Sequence, residues 1–246
     1  MDLAGKVALI TGGRRIGATV AVRLAARGVD VSMSYSRSHD VTAAAAAGVR
    51  ETGQRALVTK ADVSNTDAAT RLVNTTAEQL GRLDIVINMA SVYRRADFDD
   101  LTDDLWDEPL AVDLGGAYRC SQAAVPHMRA MGGGHIVNFS DWAAASGRPR
   151  YRGYVPYYVA KRAVIGLTEA LALELAPDHI LVNAIAPGPI VPPTDLDTGS
   201  IKEVERATPL GRWGGADEIA AVIIGLLETD FVTGETIRVD GGRHVR

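Results

Sequence analysis

Residues 7–17 of the chain read VALITGGRRIG, and this stretch decides the fold class. Its first four residues form a continuous apolar run, which is typical of a strand buried on both faces of a parallel sheet. Gly12 and Gly17 bracket the turn that follows, and a segment with helical periodicity comes next. A glycine-bearing turn between a buried strand and a helix brings backbone N–H groups close to a bound pyrophosphate. The stretch therefore predicts a nucleotide-binding βα unit.

The rest of the chain continues this alternation of strands and helices. Apolar runs rich in β-branched residues predict strands at 6–11, 29–35, 55–60, 83–88, 135–139, 180–186 and 236–240. Helical periodicity predicts helices at 16–27, 42–52, 67–80, 105–131, 157–175 and 217–227. Such alternation favours right-handed βαβ units. We therefore predict an α/β, doubly wound Rossmann-type fold with a parallel sheet of about seven strands and helices on both faces.

The chain shows no internal boundary. No change of composition and no linker divides it, so residues 1–246 are predicted to form a single nucleotide-binding domain. Residues 188–215 are rich in proline and lack clear periodicity. A long irregular segment in a compact domain is usually functional, which predicts a substrate loop there.

Composition excludes several classes of partner and cofactor. The formal net charge is -4, so we expect no nucleic-acid or anionic-membrane partner. The single cysteine cannot form an internal disulfide, and no secretory signal is visible at the start of the chain, so a cytoplasmic location is expected. The five histidines have no metal-ligand spacing, and no metal site is expected.

Two regions of the sequence predict which nucleotide binds. The glycine turn offers Gly12, Arg14, Arg15, Ile16 and Gly17, with Arg14 at the place of the middle glycine of the pattern G-x-G-x-x-G. The second strand ends with Tyr35, Arg37 and Ser38 and carries no acid that would bind a ribose hydroxyl. Arginine attracts a 2′-phosphate, so NADPH is predicted over NADH. A ligand-free βα turn with solvated arginines is the alternative.

The segment YYVAK at 157–161 is the candidate for catalysis. Tyr157 and Lys161 are four residues apart, so they share one face of a helix. An ammonium beside a phenol favours the phenolate and is expected to lower the pKa of Tyr157. A phenol so tuned donates a proton to a carbonyl or imine as hydride arrives. A chance Y-x-x-x-K pattern on a surface helix is the alternative for these two residues alone.

Further segments give the chain a family resemblance. Beside 11–17 and 157–161, they include Asp62-Val63, NMAS at 88–91, 183–188, PLGR at 209–212, and TG at 233–234 followed by VDGG at 239–242. With these pieces in order from Val7 to Gly242, the chain resembles the short-chain dehydrogenase/reductases. The resemblance implies a seven-stranded Rossmann-type sheet, a small-molecule substrate and usually a homotetramer. It also implies contacts with the cofactor from Asp62, Val63, Asn88, Ala90, Ser91, Tyr157, Lys161, Pro187, Gly188, Ile190 and Thr194.

The sequence departs from the commonest family pattern at two polar positions. Register from Asn138 puts Asp141 where the family has its catalytic serine, although a shift of register would put Ser140 there. Asp113 stands where the family has an asparagine that relays protons through water to the lysine. Asp113 is expected either to accept the same hydrogen bond or to disturb that relay by its charge.

These departures resemble one branch of the family, the pteridine reductases. The shared features are an aspartate before Y-x-x-x-K, an Arg-Ile-Gly turn, a Tyr-x-Arg-Ser strand end and Ala-Ser after the fourth strand. In that branch an aspartate and the tyrosine together protonate a ring nitrogen. A flat pterin needs an aromatic partner, for which Tyr93 and Trp142 are candidates, or these rings only pack against the sheet edge.

The sequence therefore predicts an NADPH-dependent oxidoreductase that transfers hydride to a C=N or C=O bond of a small, pterin-like heterocycle. Tyr157, Lys161, Asp141 and Asp113 are the predicted catalytic residues. One alternative is a ketone or 3-oxoacyl reductase, in which Ser140 serves as the hydroxyl donor. The other is a catalytically impaired NADP-binding protein that acts through partners.

Overall fold

The computed structural model describes residues 1–12, 14–194 and 196–245. Its centre is a seven-stranded parallel sheet with the order β3-β2-β1-β4-β5-β6-β7. The strands are β1 Val7–Gly12, β2 Asp30–Tyr35, β3 Ala56–Lys60, β4 Ile85–Met89, β5 Gly134–Phe139, β6 Ile180–Pro187 and β7 Thr236–Val239. The predicted fold class is confirmed, with strand ends displaced only slightly.

Helices cover both faces of this sheet. They are α1 Gly17–Ala25, α2 His39–Glu51, α3 Thr66–Leu80, α4 Asp103–Pro109, α5 Gly116–Ala130, α6 Trp142–Ala145, α7 Val155–Leu175, α8 Thr198–Ala207 and α9 Ala216–Glu228. None of the helices in the described part of the chain is long and apolar enough to cross a bilayer.

Alternation along the strands divides the core into two layers. Ala8 and Ile10 of β1 pack with α1, α2 and α9, whereas Val7 and Leu9 pack with α3, α5 and the end of α7. Side chains of a strand point alternately to opposite faces, so a strand covered by helices on both sides must be apolar throughout. This is why the opening stretch of the sequence identified the fold class.

Two predicted segments differ from the structure. The helix predicted at 105–131 is interrupted by a π-helical turn, Leu110–Gly115, between α4 and α5. Pro109 ends α4 and has no N–H to donate, which disturbs the regular hydrogen-bond ladder at that point. Within the irregular segment 188–215 the structure contains the helix α8, whose first turn is capped by Asp197 accepting from Ser200 N. Asp195, in the same segment, lies outside the described residues.

Candidate active site

The candidate site residues lie at the carboxyl ends of the strands, where the strand order reverses between β1 and β4. Ligands of open α/β sheets bind at such a switch point. Gly12 pairs in register with Met89. The φ angle of Gly12 is +64°, and a Cβ there would lie 2.8 Å from the Cα of Ala90. Only glycine allows this close approach of the two chain segments.

The glycine turn opens onto solvent and onto the predicted substrate loop. Helix α1 begins at Gly17, and no side chain caps its N-terminal end. The side chains of Arg14 and Arg15 are exposed, and Arg15 Nη1 donates to the carbonyl oxygen of Pro192 at 3.0 Å. A helix N-terminus without a side-chain cap is suited to an anion. Gly13 of the turn lies outside the described residues.

The end of β2 and the turn after it, residues 34–38, carry one arginine, Arg37, and no acidic residue. Arg37 is mostly in solvent and forms a long ion pair of 3.9 Å with Glu108. Ser38 precedes α2, and the ring of Tyr35 meets His39 edge-on at 5.2 Å. Asp30 lies at the opposite end of β2, where Arg55 Nε donates to it at 2.7 Å. The carboxyl end of β2 is therefore suited to a 2′-phosphate, which attracts a guanidinium and is repelled by a carboxylate.

Asp62 and Val63, which follow β3, both make contacts within the protein. The side chain of Asp62 accepts from Ser64 N and Ser64 Oγ at 3.0 and 2.7 Å. Val63 is buried in the core, where a Cβ on Gly116 would lie 2.7 Å from it. Contact between these two residues and adenine stays a prediction.

Asp141, not Ser140, lies beside the hydroxyl of Tyr157. Both follow β5, and Tyr157 lies in the first turn of α7. The hydroxyl of Tyr157 donates to Asp141 Oδ2 at 3.2 Å. The other carboxylate oxygen caps α6 by accepting from Ala143 N at 2.7 Å. Ser140 is buried and donates to the carbonyl oxygen of Lys161 at 2.9 Å, so the expectation that Ser140 contacts substrate is not met.

Lys161 forms a buried ion pair. Its Nζ lies 2.9 Å from Asp113 Oδ1 and donates to the carbonyl oxygen of Phe139 at 2.8 Å. Asp113 also accepts from Ser91 Oγ at 2.6 Å and from Val92 N at 2.9 Å. The π-helical turn carries this aspartate, and such turns occur often at functional sites. Asp113 thus ties Lys161 to the loop that follows β4.

The pKa expected for Tyr157 is corrected by this geometry. We expected Lys161 to lower the pKa of the phenol, but it is raised well above its ordinary value by burial, by the charge of Asp141 and by that of Asp113. The Lys161 ammonium is paired with Asp113 and lies 5.7 Å from the centre of the Tyr157 ring. The charge of Lys161 is balanced by Asp113, so it does not outweigh burial and the two carboxylates at Tyr157. The hydroxyl is therefore held protonated.

Burial also raises the pKa of Asp141, against the opposing effects of Ala143 N–H, the Lys161 charge and the Tyr157 hydroxyl. Tyr157 and Asp141 are thus two acids whose pKa values are both raised, joined by one hydrogen bond. Such a pair titrates as a unit and holds a proton more readily than either group would in water.

The two predicted aromatic contacts differ in exposure. Tyr93 is 59% exposed and stacks on Tyr154 with ring centres 4.4 Å apart and planes 15° apart. It also meets Tyr157 at 4.8 Å in an edge-on arrangement. Trp142 is buried, with the guanidinium groups of Arg150 and Arg243 at 5.4 and 5.2 Å from its ring centre. Tyr93 therefore offers ring surface to a ligand, whereas Trp142 is occupied by its neighbours.

The residues present fit a dinucleotide. Asn88 is buried at the end of β4, and its Oδ1 has no hydrogen-bond partner among the described residues, although its Nδ2 donates to Asn138 at 2.9 Å. A buried acceptor without a donor marks a place for an external polar group. Gly188 follows β6, and a Cβ there would lie 2.5 Å from the Cβ of Asp240. Ile190 is buried and Thr194 exposed, while Pro187 ends the strand.

Sequence reasoning missed two features of this site. One is the carbonyl oxygen of Phe139, which holds Lys161 and has no side-chain signal. The other is the use of Ser91, whose hydroxyl was expected at the cofactor but bonds to Asp113. A serine beside a predicted loop carries no information about which distant residue it meets, so no pattern could have shown it.

Comparison with known proteins agrees with the geometry. The sequence profile of a family described as enoyl-(acyl carrier protein) reductase matches residues 12–244. The short-chain reductase protein NovJ of Streptomyces niveus is 40% identical over 96% of this chain and 93% of its own length. The chain belongs to the short-chain dehydrogenase/reductase family. Members of this family are oxidoreductases, so the prediction of an enzyme is confirmed.

Other short-chain dehydrogenase/reductases share the whole length. The 3-oxoacyl-[acyl-carrier-protein] reductase FabG of Staphylococcus aureus is 34% identical and covers 98% of both chains. A short-chain dehydrogenase/reductase from Serratia marcescens superposes with a TM-score of 0.91 at 33% identity, over 99% of this chain and 100% of that chain. An acetoin dehydrogenase from Salmonella typhimurium gives 0.88 at 31% identity, over 98% of both chains. None of these relatives is named as a pteridine reductase.

Proposed function

We propose that this protein is an NADPH-dependent carbonyl reductase in which Tyr157 protonates the carbonyl oxygen of a small ketone substrate. The observation that carries the proposal is the hydrogen bond from the Tyr157 hydroxyl to Asp141 at the carboxyl ends of the strands, and the raised pKa of Tyr157 agrees with a proton donor there. NADPH, when bound, supplies the hydride. The printed names of two relatives, a 3-oxoacyl-[acyl-carrier-protein] reductase and an acetoin dehydrogenase, support carbonyl chemistry.

NADPH would be held by residues at the ends of five strands, β1, β2, β3, β4 and β6, and by two residues of α7. The turn from Gly12 to Gly17 would take the pyrophosphate, with Arg14, Arg15 and Ile16 at its edge. Arg37, with Tyr35 and Ser38 beside it, would bind the 2′-phosphate, which is the basis for NADPH over NADH. The remaining contacts carried over from the family are Asp62, Val63, Asn88, Ala90, Ser91, Tyr157, Lys161, Pro187, Gly188, Ile190 and Thr194.

The chain's own residues would supply and replace one proton. The raised pKa of Tyr157 keeps its hydroxyl a donor at neutral pH. After Tyr157 has donated, Asp141 would take up a proton from solvent and pass it to the phenolate along the same line of contact. The ion pair with Asp113 would hold the Lys161 side chain in place and balance its charge.

A pterin-like heterocycle is a second candidate substrate. Two observations favour it: a carboxyl group hydrogen-bonded to the catalytic phenol, and the exposed ring of Tyr93 next to that phenol. An aspartate can carry a proton from solvent to a ring nitrogen, which a serine cannot do near neutral pH. The relatives named above are not heterocycle reductases, so the ketone is placed first.

The test is NADPH oxidation by the purified protein against a panel of acetoacetyl thioesters, β-keto esters, dihydrobiopterin, dihydrofolate and cyclic imines. We expect turnover of the keto compounds and a higher kcat/KM with NADPH than with NADH. Turnover of the pterins alone would replace the first candidate by the second. NADPH binding without turnover of any compound would favour a regulatory protein and overturn the proposal. The homotetramer expected from the resemblance is checked separately by analytical ultracentrifugation.

A further inference from the structure

A row of aromatic rings leads away from the catalytic hydroxyl. Tyr93 meets Tyr157 edge-on at 4.8 Å and stacks on Tyr154 at 4.4 Å. The ring of Tyr151 follows at 6.5 Å from Tyr154, and that of Trp142 lies 6.3 Å beyond it. Four rings therefore extend from the phenol of Tyr157. Tyr93 and Tyr151 lie in loops, and Tyr154 and Trp142 lie where α7 and α6 begin.

Two rings of this row, those of Tyr93 and Tyr151, are open to solvent. Tyr93 is 59% exposed and Tyr151 is 47% exposed, although both are large side chains with much apolar surface. Exposed aromatic surface beside a cleft is a common mark of ligand binding. The faces of aromatic rings favour a second ring, offset-stacked or edge-on, over an aliphatic group of equal size.

The two loops that carry the rings are fastened to each other. Ala96 N donates to the carbonyl oxygen of Gly153 at 2.9 Å. Gly153 has φ +83°, and a Cβ there would lie 2.8 Å from Cγ of Arg95, so the loops touch closely at this glycine. The loop after β4 is also held from below, because Asp113 accepts from Ser91 Oγ and Val92 N. The aromatic surface is thus in place before any ligand arrives, which lowers the entropic cost of binding.

We propose that the substrate is an aryl ketone, whose aromatic ring binds against Tyr93 and Tyr151 while its carbonyl oxygen meets Tyr157. This inference rests on the proposed carbonyl reduction and names its substrate class. The ring would lie directly next to the reacting carbon, since Tyr93 contacts the catalytic phenol itself. An aliphatic acyl chain would gain the apolar contact but not the ring–ring interaction.

A matched pair of ketones tests the inference. Ethyl benzoylacetate and its cyclohexyl analogue have rings of the same carbon count, but only one is aromatic. With the full chain and NADPH we expect a higher kcat/KM for the phenyl compound. Tyr93→Leu should lower kcat/KM for the phenyl ketone about three- to tenfold more than for the cyclohexyl ketone, which is the range of aromatic pair energies.

Two further variants separate stacking from other effects. Tyr93→Phe keeps the ring and should retain the preference for phenyl. Phe231→Leu removes an exposed ring in the loop before β7, away from the row, and should leave the ratio of the two ketones as in wild type. Equal losses for both ketones in Tyr93→Leu, or no preference in wild type, would overturn the inference.

A binding measurement keeps the inference separate from the proposed reaction. Benzamide and cyclohexanecarboxamide resemble the two ketones but resist reduction. Ligand-observed NMR with the NADPH-bound protein should show tighter binding of benzamide in wild type and a smaller difference in Tyr93→Leu. If neither ketone is turned over but this difference is found, the aromatic site stands and the carbonyl reduction fails. Equal binding of the two amides would overturn the aromatic site whatever the turnover.

Discussion

The ammonium of Lys161 lies 2.9 Å from a carboxylate oxygen of Asp113, and both side chains are buried. Lys161 is four residues from Tyr157, but its charge is balanced by the ion pair with Asp113. The phenol instead bonds to a second carboxylate, Asp141. The Tyr157 hydroxyl therefore holds its proton tightly. We expect the two aspartates to control how the reaction depends on pH.

Replacing Asp113 by Asn should move the pH profile. The charge of Asp113 contributes to the raised pKa of Tyr157, so its removal lowers that pKa. Reduction needs the protonated phenol and is lost as pH rises through its pKa, so the alkaline limb of kcat should shift to lower pH. Stability should fall by up to about 3–5 kcal/mol, because Lys161 is left as an unpaired buried charge. The shift of the alkaline limb is measured as kcat against pH, and the loss of stability is measured by urea unfolding.

The control is Asp178→Asn, which removes an exposed carboxylate paired with Arg129. Exposed pairs contribute little, so stability and pH profile should match wild type. An unchanged alkaline limb in Asp113→Asn would show that the aspartate does not act on the phenol.

Asp141 is expected to have two separable functions. Asp141→Asn can keep the helix cap by accepting from Ala143 N, but it cannot supply a proton. Asp141→Ala loses the cap as well, which costs about 0.5–2 kcal/mol. We predict that kcat falls on the order of 10²-fold in both variants, whereas the melting temperature falls clearly only in Asp141→Ala. If Asp141→Asn keeps the wild-type kcat at every pH, Asp141 does not supply a proton in the reaction.

Arg37 is predicted to select the cofactor. Arg37→Ala removes the exposed guanidinium after β2, whose last residues and following turn, 34–38, carry no acidic side chain. The kcat/KM for NADPH should fall about 10–100-fold, in keeping with the loss of a charge-assisted pair, while that for NADH changes little. Arg129→Ala, an exposed arginine at the end of α5, is the control and should leave the ratio of the two cofactors unchanged. A wild-type preference for NADH would refute the assignment.

His135 should make the fold sensitive to acid. Burial lowers the pKa of this histidine on β5 to about 4. The unfolded chain binds a proton near pH 6.5, so stability is fully present above that pH and is lost as pH falls toward 4. The loss should reach up to about 3 kcal/mol in urea unfolding.

His135→Leu should flatten this part of the stability curve, because it removes the titrating ring. His39→Gln, which removes an exposed histidine, should not. A stability curve of unchanged slope between pH 7 and 4 in His135→Leu would assign the acid sensitivity to other groups.

The sequence was sufficient to predict the sheet and to name candidate site residues. Strands such as β1 and β4 are apolar throughout because helices cover both of their faces, so their runs are visible without any coordinates. The glycine turn and the Y-x-x-x-K pattern are local, so their spacing was readable as well. Helix α8 was not predicted, because a short amphipathic helix among prolines gives a weak periodic signal.

The electrostatics of the site could not be predicted in the same way. The sequence placed Tyr157 and Lys161 on one helical face, which suggested a lowered pKa for the phenol. The opposite direction follows first from burial, then from Asp141, and then from Asp113, which reaches Lys161 from a π-helical turn on another segment. Likewise, only the direction of the Ser140 hydroxyl toward α7 shows that Asp141 is the residue at the phenol. Contacts between distant segments set both results.

Tyr157 is the proposed proton donor, and its removal tests the proposed function most directly. The direct measurement is single-turnover oxidation of bound NADPH with the best ketone of the panel, in wild type and in Tyr157→Phe, with NADPH affinity measured separately. We predict a rate 10²–10⁴-fold lower in the variant, on the order of the loss of one general acid, with nearly unchanged affinity for NADPH. A wild-type rate in Tyr157→Phe would contradict the account.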